Sequence, residues 1–168
     1  LWLLTVTLFT IGIGSGLWHT HATQNSMLAD IIPIGIFIHL FFWAALRRAF
    51  NLTRWKSALG LGAFIVFSYI AGNYLPPDMW DGSVMYLPAI SALALFTLLL
   101  KIRHHVAAKG FAVALGVFVV SIAFRTIDTS ICSSLPIGTH FLWHVLNAYV
   151  LYRLLMALVP PIHRPKAV

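Results

Sequence analysis

The chain has 168 residues, of which 60% are hydrophobic and only 9% are charged, and its mean hydropathy is +0.90. A soluble domain carries about 25% charged residues, so this composition excludes an ordinary soluble enzyme or binding module and predicts an integral membrane protein. At this length we expect one helix bundle, a single domain over residues 1–168, with no linker and no soluble domain.

Six apolar segments follow one another along the chain, and each approaches the roughly 20 residues that a helix needs to cross a bilayer. Their approximate bounds are 1–20, 29–46, 57–75, 84–101, 108–126 and 138–159. The second is the shortest and reaches full length only by including residues 27–30. Pro33 is expected in its first turn, where a missing N–H does little harm. The sequence therefore predicts an all-α, polytopic transmembrane helix bundle.

Charged residues separate the loops into two sets. The acidic residues Asp30, Asp78, Asp81 and Asp128 lie on one side, together with Arg125. The other ten Lys and Arg residues lie on the opposite side: Arg47, Arg48, Arg54, Lys56, Lys101, Arg103, Lys109, Arg153, Arg164 and Lys166. The positive-inside rule assigns this basic side, and with it the C-terminus, to the cytoplasm. Because orientation and anionic lipid account for the net charge of +7, no nucleic-acid partner is expected.

Five polar residues fall at one predicted depth, near the non-cytoplasmic margin of the bilayer: Ser15, His19, Asp30, His140 and His144. The members of the pairs Ser15–His19 and His140–His144 are four residues apart, so on a helix each pair projects from one face. Polar, metal-capable side chains are costly in this setting and indicate a function. Three imidazoles leave one position of a tetrahedral Zn²⁺ site open, which is typical of a catalytic zinc.

Such a site suits hydrolysis at a carbonyl carbon, because zinc lowers the pKa of its bound water toward ~7 and polarises a carbonyl oxygen. Asp30 is suited to accept the proton of the water and pass it to the leaving group. Ser15, one turn from a ligand, is suited to donate a hydrogen bond to the developing oxyanion or to orient the water. The apolar interior would accept the chains of a lipid that enters from the bilayer.

Simpler roles remain open for the same residues. Ser15 lies in the segment GIGSG, and small residues commonly serve close helix packing. Asp30 is a good N-cap residue, and Arg125 and Asp128 are spaced to form an ion pair on one helix. His39 is expected to be a packing residue. Paired transmembrane histidines also bind haem axially in electron-transfer proteins, although a haem protein would leave Asp30 and Ser15 without a role.

The spacing of these residues resembles that of the alkaline ceramidases, which belong to a wider superfamily of seven-helix zinc hydrolases that includes the progestin and adipoQ receptors. The matching positions are Ser15, His19 and Asp30 for S-x₃-H-x₁₀-D, Asp128 and Cys132 for D-x₃-C, and His140 and His144 for H-x₃-H. The motifs span nearly the whole chain, and their combination is more specific than either half alone.

The resemblance implies a seven-helix fold, of which six helices are visible here and the first is expected to be missing from the sequence. It implies that His19, His140 and His144 bind Zn²⁺. It also implies hydrolysis of the N-acyl bond of ceramide, or of a related membrane lipid, to a sphingoid base and a fatty acid. A receptor-like or sensor member of the superfamily is the alternative. Nothing here matches the acidic calcium-binding cluster of animal ceramidases, and the oligomeric state stays open.

Overall fold

The computed structural model describes residues 1–159, and all the regular elements in that range are helical. The helices are α1 (Trp2–His21), α2 (Gln24–Arg48), α3 (Arg54–Tyr74), α4 (Leu87–Ile102), α5 (Ala108–Ile131) and α6 (His140–Leu158), with a 3₁₀ turn at Ser83–Tyr86 leading into α4. Each of the six, with α4 counted together with its 3₁₀ turn, is long and apolar enough to cross a membrane. The predicted all-α transmembrane bundle is confirmed. Arg164 and Lys166 lie outside the described residues.

The link between α1 and α2 is shorter than the sequence analysis predicts. Ala22 ends α1 in the left-handed conformation, with φ of 48°. Thr23 then caps α2, because its hydroxyl accepts a hydrogen bond from the backbone N–H of Ser26 while the Ser26 hydroxyl accepts one from the N–H of Thr23. This reciprocal capping box starts α2 at Gln24. The two helices therefore form a tight antiparallel hairpin.

The early start of α2 changes the position of Pro33, which lies inside the helix and not in its first turn as predicted. Proline has no N–H, so the carbonyl of Ala29, four residues earlier, loses its usual helical partner. Gly14 of α1 lies so close to this carbonyl that a Cβ atom at Gly14 would collide with it. Gly12 and Gly16 have open space at the same position, so Gly14 alone provides the close packing that GIGSG favours.

Helix contacts divide the bundle into neighbouring pairs. The most extensive contacts join α1 to α2 and α5 to α6, and α4 packs on α5 while α3 packs on α2. Between the two tight hairpins, contact is sparse: α2 meets α6 over a small area, and α1 and α6 have few close backbone approaches. The two hairpins therefore enclose space between them.

Aromatic side chains fill the half of the bundle nearer the α2–α3 link. Phe42 stacks on Phe64 with ring centroids 4.3 Å apart and lies 4.9 Å from Phe96. Phe41 lies 5.9 Å from Phe111, which is fully buried. Offset and tilted aromatic pairs at these separations add to the stability that their burial provides. These rings form an aromatic layer that joins α2, α3, α4 and α5.

Candidate metal centre

Three histidine side chains converge between the hairpins. His19 is near the end of α1, His140 is the first residue of α6, and His144 lies one turn further along α6. One ring nitrogen from each lies within 4.8 Å of the others, and the Nε2 atoms of His19 and His144 are 2.9 Å apart. A tetrahedral zinc with Zn–N bonds of about 2.0–2.1 Å holds its ligand nitrogens about 3.3 Å apart. The imidazoles therefore fit one zinc ion after small rotations, and three protein ligands leave its fourth position open.

The same contact bears on the haem alternative. Axial histidines bind haem from opposite faces of the porphyrin, so the ring has to lie between their nitrogens. The Nε2 atoms of His19 and His144 are in direct contact, and the rings of His140 and His144 have centroids only 4.8 Å apart. No porphyrin fits between these side chains. The arrangement favours a single compact ion.

Ser15 and Asp30 line the same cavity as the three histidines. Ser15 is one turn before His19 on α1, and its hydroxyl lies beside the Asp30 carboxyl. Asp30 is in the second turn of α2, well inside a helix that Thr23 already caps, so the N-cap role is excluded. The structure thus brings together all five residues that the sequence analysis singled out.

The cavity has a volume of about 770 Å³, which is in the range of typical small-molecule sites. Its polar lining is concentrated where α1, α2 and α6 supply Ser15, Asp30 and the three histidines. Further along, its walls are apolar and include the aromatic layer, with Phe41, Phe42 and Phe64 among the lining residues. A polar head with an apolar chain is the ligand shape that this lining matches.

Asp128 is the residue whose role the sequence reasoning missed. The predicted ion pair with Arg125 is wrong, because Arg125 donates instead to the Asp81 carbonyl and the Ser83 hydroxyl. Asp128 Oδ1 accepts hydrogen bonds from the backbone N–H groups of Thr139, at 2.5 Å, and His140, at 2.9 Å. An anion at a helix N-terminus is favourable, and here it fixes the start of α6, the helix that carries two of the histidines.

Asp128 also approaches the ring of His140, since its Oδ2 lies 3.7 Å from His140 Nδ1. That separation is too long for a hydrogen bond, yet it places a carboxylate beside one ring nitrogen of His140. Metal-binding histidines usually have such a partner. Gly138 precedes this turn with φ of 62°, and a Cβ atom there would run into Asp128. The sequence did contain a signal for this role: Asp128 precedes the Gly138-Thr139-His140 segment at which α6 begins.

A second contact ties α5 to α6 below the histidines. The buried hydroxyl of Ser121 donates to the backbone carbonyl of Trp143 at 3.1 Å, and it lies 3.4 Å from Asn147 Oδ1. The hydroxyl of Thr139 donates to the carbonyl of Phe124 at 2.7 Å. Polar contacts therefore hold α6 in register with α5 on both sides of the His140–His144 turn.

The remaining polar residues lie outside the cluster. His39 Nδ1 bonds to the carbonyl of Gly35 in its own helix at 2.7 Å and its ring packs 5.5 Å from Phe64, so the predicted packing role is confirmed. His21 is exposed and is not part of the histidine cluster. Cys132 is exposed, and its thiol donates to the Asp128 carbonyl.

No protein-family model, curated protein or solved structure matches this chain. The resemblance to the alkaline ceramidases therefore stays a prediction, and the geometry of the site is the independent support for any function.

Proposed function

We propose that this protein is a zinc-dependent membrane amidase that hydrolyses the N-acyl bond of ceramide or a related N-acyl lipid. The observation that carries the proposal is the meeting of three imidazoles with Asp30 and Ser15 in one cavity whose other walls are mostly apolar. The apolar lining of the cavity supports a long-chain lipid. The choice of an amide rests on the spacing of the site residues along the chain, which resembles that of the ceramidases.

His19, His140 and His144 would hold the metal through one ring nitrogen each. When bound, zinc supplies a water of lowered pKa and Lewis acidity toward a carbonyl oxygen. The two hairpins share this task, since His19 comes from the first and the other two histidines come from the second.

Asp30 is the general acid–base group in this proposal. It is the one acidic side chain among the described residues that line the cavity. Its carboxylate accepts a proton from the attacking water and returns it to the amine nitrogen as the C–N bond breaks, so the amine leaves neutral. An amide needs this step because an unprotonated amide anion is a very poor leaving group.

Ser15 is the hydrogen-bond donor in this proposal. Its hydroxyl stabilises the negative charge that develops on the carbonyl oxygen when water adds to the amide carbon. The close contact between Gly14 and the Ala29 carbonyl fixes α1 against α2, so the hydroxyl of Ser15 and the carboxyl of Asp30 stay side by side. The apolar walls accept the acyl chain and exclude bulk water.

Charge segregation supports an orientation with the site at the non-cytoplasmic face and the C-terminus in the cytoplasm. The exposed Cys132 is the single cysteine of the chain and lies at the site end of α5. A membrane-impermeant thiol reagent applied to sealed, oriented vesicles is expected to label it from the non-cytoplasmic side. Labelling from the cytoplasmic side alone would reverse this orientation.

The function is tested on the full-length protein in nanodiscs by metal analysis and by fatty-acid release from labelled ceramide in a single turnover. We expect one zinc per chain and hydrolysis that a chelator stops. Alanine at His19, His140 or His144 should remove most of the metal. The matched controls are His21→Ala, next to the site, and His39→Ala, deeper in α2, and both should keep it.

The outcomes separate the alternatives. Full zinc occupancy in all three site variants would end the metal assignment. Zinc-loaded protein that cuts lipid esters and no amide would make it an esterase. Zinc-loaded protein that cuts no acyl lipid would leave the receptor-like alternative, in which the same cavity binds a lipid without turnover.

A further inference from the structure

Arg125 lines the cavity together with the three histidines, and the proposed reaction does not use it. Among the Lys and Arg residues within 1–159, it is the one that lies away from the basic side. A cation in a membrane-spanning helix is costly and normally pairs with an opposite charge. All four acidic residues lie within residues 1–159, and none brings a carboxylate oxygen within 4.0 Å of the guanidinium. Its charge is therefore not neutralised by the part of the chain that the structure describes.

The guanidinium of Arg125 is nevertheless held firmly. Nη1 donates to the Asp81 carbonyl at 2.7 Å and to the Ser83 hydroxyl at 3.0 Å. The guanidinium carbon lies 5.6 Å from the ring centroid of Tyr86 and 5.8 Å from that of Trp143, within the cation–π range. These contacts fix the orientation of the group and leave part of it unused.

A guanidinium has five N–H donors, and the hydrogen bonds from Arg125 to described residues all leave from Nη1. The N–H groups on Nε and Nη2 make no hydrogen bond of 3.5 Å or less within residues 1–159, although the Tyr86 hydroxyl lies close to the guanidinium. Two neighbouring N–H groups of this kind match the two oxygens of a carboxylate. The fixed cation therefore lines a mostly apolar cavity with two donors that no hydrogen bond within residues 1–159 uses.

We propose that Arg125 forms a carboxylate-binding subsite for a long-chain amphiphile. One guanidinium neutralises one negative charge, and Asp30 adds a carboxyl group to the same cavity. A phosphomonoester, which carries nearly two negative charges near neutral pH, exceeds the charge of one guanidinium, whereas a carboxylate matches it one to one, so the Arg125 group favours a carboxylate.

The carboxylate has two possible sources, and one of them rests on the proposed function. It is either the fatty acid that N-acyl cleavage releases or an acidic headgroup of the bound lipid, as in an N-acyl amino acid. The recognition chemistry at Arg125 is the same in both cases.

The test measures the binding of labelled oleic acid and oleyl alcohol to the full-length protein at alkaline pH, where the acid is ionised. Arg125→Gln is expected to bind oleic acid about 10- to 100-fold more weakly, the loss of a charge-assisted hydrogen-bond pair. Oleyl alcohol binding should not change. Arg103→Gln is the matched control, because Arg103 also packs over an aromatic ring, 5.4 Å from Phe50, but does not line the cavity.

Zinc also attracts carboxylates, so His144→Ala is measured in parallel. Loss of the preference for oleic acid in Arg125→Gln but not in His144→Ala supports the subsite. Any one of three results overturns the subsite. These are loss of the preference in His144→Ala but not in Arg125→Gln, unchanged binding of oleic acid to Arg125→Gln, and an equal loss of oleic acid and oleyl alcohol binding. If Arg125→Gln aggregates, Arg125→Lys replaces it: oleic acid binding should fall about tenfold because the fork is lost, and unchanged binding overturns the subsite.

Hydrolysis then identifies the source of the carboxylate. If Arg125→Gln lowers kcat/KM for N-oleoylglycine and not for N-oleoylethanolamine, the subsite holds an acidic headgroup. If it weakens only the inhibition by oleic acid, the subsite holds the product. If neither lipid is hydrolysed by the unmodified protein, the proposed amidase function fails, whereas the binding measurements still decide the role of Arg125.

Discussion

The α1–α2 hairpin and the α5–α6 hairpin each supply part of the candidate site, but they position their residues by different means. In the α1–α2 hairpin, the two-residue link and the backbone contact of Gly14 with the Ala29 carbonyl bring the helices together. In the α5–α6 hairpin, side chains position the helices: Asp128, Ser121 and Thr139 form hydrogen bonds with the backbone of the neighbouring helix. Substitutions should therefore damage the two hairpins in different ways.

This difference follows the roles that we assign to the two hairpins. The first carries the proposed reacting groups, Asp30 and Ser15, and the second carries two of the three metal ligands. His19 joins them, because it lies on α1 and contacts His144 of α6 at 2.9 Å. Apart from changes at His19, substitutions in the first hairpin are expected to alter turnover at constant metal content, and substitutions in the second are expected to alter metal affinity.

Asp30→Asn gives the largest expected effect and is the sharpest test of that division. Asparagine keeps the shape of the side chain but cannot take up a proton, so turnover of ceramide should fall by about 10²–10⁴-fold. Zinc content should stay close to that of the unmodified protein. Rates come from single-turnover release of labelled fatty acid, with metal analysis on the same samples. Hydrolysis at the unmodified rate would refute the acid–base role.

Ser15→Ala is expected to lower turnover by about 10²–10³-fold, the usual cost of a lost oxyanion donor. The hydroxyl is small and α1 keeps its close contact at Gly14, so the thermal midpoint and the zinc content should barely change. Thr20→Ala, which removes a hydroxyl bonded within α1 to the Gly16 carbonyl at 2.8 Å, is the control. A loss below tenfold for Ser15→Ala would assign that residue to packing.

Asp128→Asn tests the second hairpin. It keeps an oxygen that can accept from the Thr139 and His140 N–H groups but removes the negative charge beside the His140 ring. Zinc affinity should fall by about 10–100-fold, as for other groups that support a metal-binding histidine. Competition with a zinc-selective chelator measures it, and Asp78→Asn on the same side of the bundle serves as the control. Unchanged affinity would restrict Asp128 to capping α6.

Gly14→Ala tests the first hairpin with a change in stability. The added methyl group meets the Ala29 carbonyl, so the free energy of unfolding should decrease by about 1–3 kcal/mol, a typical cost of overpacking. Gly62→Ala in α3 adds the same methyl group into open space and should be neutral or stabilising. Denaturation in detergent compares the two variants. Equal stability would mean that α1 shifts away from α2 without cost.

Composition and residue spacing were sufficient to predict the six helices and part of the candidate site. Apolar segments located the six helices, and the four-residue spacing placed His140 and His144 on one face of α6. The sequence did not predict where α2 begins, because the Thr23–Ser26 capping box outweighs the polar character of residues 24–26. The sequence suggested an ion pair between Asp128 and Arg125, because Arg125 is the nearby cation along the chain. In the structure, the turn at Gly138 instead places the first N–H groups of α6 beside the Asp128 carboxylate.

The contact between Gly14 and the carbonyl that Pro33 leaves unpaired has a consequence for how this sequence can vary. Replacing Pro33 with Ala would return an N–H to Ala29 and draw its carbonyl back into the helical ladder, away from α1. A methyl group at position 14 would then meet less resistance, so the two substitutions together should cost less than the sum of their separate costs. The two positions are 19 residues apart, yet natural selection would act on them as one epistatic unit, with each limiting the replacements that the other tolerates.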